Sequence, residues 1–138
     1  MREGWSGDDY VVLFSEDDLP SVAQRYGIAD MLPGYRVIGL RGWDDFIIED
    51  PKGGIFTVPT VPCDLKHIAR FHPLDEDQLV ADARFVGRVK WYVTPIAFGG
   101  PPSAPENIAW ITHGQHADLV RWWNNKYREL SGPRASME

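Results

Sequence analysis

The chain has 138 residues, a formal net charge of −6, 43% hydrophobic and 25% charged residues, and a single cysteine. That length suits one domain around one core, and the acidic field disfavours phosphate backbones and anionic lipid headgroups, so no nucleic acid and no membrane is expected among its partners. Cys63 cannot form an internal disulfide, the start MREGWSGDD lacks a basic or apolar signal segment, and no run approaches the ~18 apolar residues of a spanning helix, so a cytoplasmic protein is expected.

Residues 1–9 are polar and glycine-bearing, which suggests a frayed tail. Tyr10-Val11-Val12-Leu13-Phe14 is β-branched and aromatic, fitting an edge strand or the lead-in to a helix. Ser15 with Asp18 three residues on, and acids at 16, 17 and 18, marks a helix start. The helix carries Leu19, Val22, Ala23 and Tyr26 inward, tolerates Pro20 in its first turn and stops at Gly27.

From residue 32 to 62 the pattern turns to strands. Tyr35-Arg36-Val37-Ile38-Gly39-Leu40, Asp45-Phe46-Ile47-Ile48-Glu49-Asp50 and Ile55-Phe56-Thr57-Val58-Pro59 are separated by Arg41-Gly42-Trp43 and by Pro51-Lys52-Gly53-Gly54, an antiparallel meander with glycine turns. Asp64 is placed to cap a helical turn over residues 64–71, and Asp75-Glu76-Asp77 precedes a further short helix over residues 78–85.

Residues 89–98, VKWYVTPIAF, form the strongest buried-strand run, with Pro95 forcing a bend or an edge position. Asn107-Ile108-Ala109-Trp110-Ile111 is a second extended run. Thr112 and Gln115 then form a capping box, and His116, Leu119, Val120, Trp123, Tyr127 and Leu130 make one helical stripe. Asp118, Arg121, Asn125 and Arg128 lie opposite it, and Ser131-Gly132-Pro133 ends the helix, leaving 132–138 as a tail. The fold class expected is α+β: a single domain over residues 1–138, with a mostly antiparallel twisted sheet of about four to six strands and N- and C-terminal helices packed on it.

Few residues suggest bond-making chemistry. His113 and His116 sit three apart, but zinc needs three or four ligands and no second paired motif supplies them, so no metal and no cofactor is expected. Cys63 with His67 or His72 offers a thiol and a base for a small hydrolase or transferase, although no cysteine-protease signature surrounds it. The adjacent acids Asp44-Asp45 and Glu49-Asp50 point to opposite faces if extended, which rules out a catalytic carboxylate pair. Gly99-Gly100 is followed by Pro101-Pro102, which lack the donors of a phosphate cradle.

Surface complementarity is the better-supported theme. Six tryptophans in so short a chain exceed what one core needs, and Trp122, 100° round a helix from Trp123, falls at the border or in solvent. The candidate partner-binding residues are Trp43, Asp44, Asp45, Asp75, Glu76, Asp77 and Trp122, offered to a basic protein. A homodimer through exposed tryptophans is the other non-catalytic reading.

The segment ending in Gly27-Ile28, then Leu32-Pro33-Gly34-Tyr35, Val37-Ile38-Gly39, Asp44-Asp45-Phe46-Ile47-Ile48 and Gly53-Gly54-Ile55-Phe56, resembles the SUKH superfamily, the cell-wall-assembly-regulator-like domains found as bacterial immunity proteins. The resemblance covers residues 15 to about 71 and implies an α+β fold and stoichiometric, non-catalytic binding of a toxin domain. It carries over no catalytic residues.

Overall fold

The computed structural model describes residues 2–7, 9–41, 45–71, 76–95, 98–101 and 103–137, with side chains to residue 130 and without that of residue 76. The expected α+β architecture is present: six antiparallel strands in sequence order, a separate two-stranded ribbon, and helices packed on them.

The N-terminus departs from the frayed tail expected of it. Arg2–Ser6 is strand β1, paired with β2 (Asp9–Leu13). Distant residues hold it there: Trp5 exchanges backbone bonds with Val80, donates its indole N–H to Asp82 at 3.1 Å, and meets Tyr10 and Phe85 edge-on. Gly4 is required at this crossing, because a Cβ there would lie 2.6 Å from the Val80 backbone nitrogen. With β1 on its flank, β2 is an inner strand, and Tyr10, Val11 and Val12 are fully buried.

Ser15 Oγ donates to the Asp18 carboxylate at 2.8 Å, but the helix begins three residues later than the Ser15 signal marks: α1 is Leu19–Tyr26, with Asp18 at its N-cap and no side-chain bond to the helix amides. Gly27 closes it at φ +69°, a left-handed turn that glycine adopts at no steric cost. After α2 (Ile28–Met31), strands β3 (Arg36–Arg41), β4 (Asp45–Glu49) and β5 (Ile55–Pro59) form the meander. The β4–β5 turn is tied by Asp50, whose carboxylate accepts from the Lys52 and Gly54 amides.

Two expected helices are absent. Asp64 caps only a 3-10 turn, Leu65–His67, and the chain then extends into β6 (Ala69–Arg70), which pairs with β5 and satisfies its backbone in the sheet. Only Glu76–Gln78 of the second acidic stretch is helical, again a single 3-10 turn. Beyond it Val80 bonds Trp5, and Asp82 takes up the Arg84 amide and guanidinium, so the backbone finds partners outside a helix.

Strands β7 (Arg88–Tyr92) and β8 (Ile108–Thr112) make the ribbon. Asn107 ties the connection between them, accepting from the Thr94 amide and donating to the Thr94 and Pro101 carbonyls. The Thr112–Gln115 capping box forms in both directions and opens α3 (His113–Met137), which continues past the predicted stop at Gly132-Pro133. Proline removes one ladder bond but its fixed φ is helical, so the chain need not leave the helix there.

The core joins one face of the sheet to α1, α3 and the inner face of the ribbon. Val12, Val37, Leu40, Phe46, Ile48 and Val58 meet Tyr26, Val89, Trp91, Ala117 and Val120. Burial of each large apolar side chain contributes about 1.5–3 kcal/mol, so this layer dominates stability. Among the described residues no helix is long and apolar enough to cross a membrane.

Candidate functional site

Trp43, Asp44, Asp75 and His72 lie outside the described residues, as does the side chain of Glu76. The remaining predicted site residues stand on separate elements. Asp45 opens β4 half-buried, where burial raises its carboxyl pKa and Arg41 lowers it; the Arg41 Nε lies 3.9 Å from it and 3.6 Å from Asp9. Asp77 is 3.4 Å from the guanidinium of Arg2, at the other end of β1 from the turn that precedes Asp9. Both acids are thus engaged by arginines of this chain, and the structure does not bring them together.

Trp122 is different. It lies on α3 with 56% of its surface exposed, yet its ring is braced: it meets Trp123 edge-on at 4.9 Å, and Trp123 rests on Phe98 at 4.8 Å. Its nearest charges along the helix are mixed in sign, Asp118 one turn before and Lys126 one turn after, the latter 3.9 Å from Glu129. Trp110, at the ribbon surface, is also accessible and stacks on Phe85 with centroids 4.5 Å apart.

The thiol of Cys63 is not prepared for attack. Burial pushes its pKa up to about 12, the reverse of what a nucleophile requires. His67 is exposed on the 3-10 turn. What this loop does have is an anchor: the Cys63 amide donates to Asn124 Oδ1 at 2.7 Å, while Asn124 Nδ2 donates to the Thr60 and Val120 carbonyls at 2.7 and 2.8 Å. Asn124 is buried, a position that the predicted stripe passes over although it falls eight residues after His116 and four after Val120. A polar residue at that spacing was the available signal. Leu130, placed on the stripe by periodicity, is instead half exposed.

His116 is fully buried beneath Tyr26 and Trp91. Tyr26 Oη and His116 Nδ1 share a hydrogen bond of 2.5 Å, and burial raises the Tyr26 phenol well above its ordinary pKa, so the phenol stays protonated. Nε2 has no partner. Burial first, and the neighbouring His113 second, depress the His116 pKa to about 3. His113 is half-buried, its pKa also lowered, chiefly by burial, and neither of its ring nitrogens has a bond. Two neutral imidazoles on one turn do not make a metal centre, and among the described residues no group of three or more His, Cys, Asp or Glu is placed to hold an ion.

Comparisons with protein-family models, with curated proteins and with solved structures gave no match.

Proposed function

We propose that this protein is a non-catalytic binding domain of the immunity type, which neutralises a toxin domain by covering part of its surface, with Trp122 as the central anchor. The observation that carries this reading is an indole 56% exposed, yet fixed in place by Trp123 and Phe98. A rigid aromatic ring loses little conformational freedom on contact and buries a large apolar area, which is why tryptophan dominates interface energetics. The surplus of acidic residues, net −6, favours a basic partner and a faster encounter. The burial that raises the Cys63 thiol pKa weighs against the hydrolase alternative.

The test is to sequence the reading frames adjacent to this one and co-express each product with this chain, scored by survival and by co-purification of a stoichiometric complex. Rescue that Trp122→Ala abolishes supports the proposal. Absence of both rescue and complex overturns it, and a stable dimer of this chain alone that Trp122→Ala dissociates assigns the indole to self-association instead.

A further inference from the structure

Between α1 and the first turn of α3 lies an open cavity of about 350 Å³, at the small end of the size range of small-molecule sites. Phe14, Val22 and Ala117 supply apolar wall; Arg25, His113 and Asp18 supply the polar groups. Arg25 is the informative one. Among the described residues its guanidinium has no carboxylate within ion-pair distance and no hydrogen bond, whereas Asp18, its neighbour in the cavity wall, is bonded to Ser15 Oγ. Its guanidinium lies against Gly114, where a Cβ would displace the flexible end of the Arg25 side chain. The cavity therefore pairs an uncommitted cation at its mouth with an apolar interior, and His113 adds an imidazole whose nitrogens are both unengaged.

We propose that this cavity binds a small carboxylic acid with an apolar body no larger than a single ring, the carboxylate forked on the Arg25 guanidinium and the body against Phe14, Val22 and Ala117. The planar fork of arginine matches a carboxylate in two parallel hydrogen bonds. A ring-sized body fits within the volume. This inference is independent of the Trp122 surface.

The test is an amide-resonance titration of the full chain with phenylacetate and with hexanoate, beside phenylacetamide, which keeps the ring and loses the charge. Expected are saturable shifts confined to α1 and the first turn of α3, at least tenfold tighter for phenylacetate than for phenylacetamide, and a similar loss with Arg25→Gln. Ser21→Trp, which puts a large ring on an exposed wall position, abolishes the shifts. No saturable shift with either acid at millimolar concentration, equal affinity for acid and amide, or unchanged affinity in a folded Arg25→Gln protein overturns the proposal. The acid-against-amide comparison needs no variant, so it decides the matter even if a substitution unfolds the chain.

Discussion

The inner and outer faces of α3 break the rule of apolar inside and polar outside in opposite ways. On the inner face Asn124 and His116 are buried polar groups; on the outer face Trp122 is an exposed apolar one. Asn124 is explained by architecture, since its amide makes three bonds that fix the loop from Thr60 to Cys63. His116 is explained only in part, by its one bond to Tyr26. Trp122 has no such account within the chain, because its contact with Trp123 orders the ring without burying it. An inversion that internal bonds explain is structural; the exposed indole is the one on which the proposed partner contact rests.

The largest expected effect on stability comes from the structural inversion. Asn124→Ala strands the Cys63 amide and the Thr60 carbonyl and should cost about 3–4 kcal/mol, read as a lower urea midpoint with the slope unchanged. A loss within about 0.5 kcal/mol would mean that the loop is held by something else. Next, Tyr26→Phe keeps the edge-on contact with Phe46 but removes the one side-chain bond to His116 among the described residues, an expected loss of about 2 kcal/mol by the same measurement.

The His116 site also makes stability depend on pH. Its folded pKa, about 3, lies below the unfolded value of 6.5, so the unfolded chain takes up a proton that the folded chain refuses. The contribution is present in full above pH 6.5 and declines as the pH falls toward 3, by about 1.4 kcal/mol per unit. His113, lowered in the same direction, adds to the decline. Urea midpoints measured between pH 7 and pH 4 should show this slope, and His116→Gln should flatten it. A flat wild-type profile would mean that these rings are accessible to protons in the fold. Cys63 provides a smaller, kinetic check: its thiol should react far more slowly with a thiol reagent at neutral pH than it does in urea.

Sequence made the local decisions legible and the distant ones obscure. The Thr112–Gln115 box, the stop at Gly27, the Asp50–Gly54 turn and the three-strand meander each rest on residues within a few positions of one another, and each formed. Strand β1 depends on Val80 and Asp82, more than seventy positions away, and nothing in MREGWSGDD announces that pairing. The same contact explains the missing helix over residues 78–85: the acids and apolar spacing favour helix locally, but Trp5 and Asp82 offer the backbone better partners. Asn124 was hidden because an amide on an apolar stripe looks like an error until the loop it holds is known. Of the candidate binding residues, the exposure of Trp122 followed from helical geometry alone, whereas the pairing of Asp45 with Arg41 and of Asp77 with Arg2 required the fold.

The smallest effect on stability belongs to the residue with the largest proposed role. Trp122→Ala should cost about 1 kcal/mol, read from the urea midpoint, since more than half of the residue's surface is exposed and it lies outside the buried core. The most direct measurement is therefore the affinity of the wild-type and Trp122→Ala chains for the toxin domain proposed as partner, once a neighbouring reading frame supplies one, taken by calorimetry on folded proteins. The account predicts a loss of about 30-fold or more, the level expected of a central aromatic anchor. Equal affinities of the two chains would contradict it.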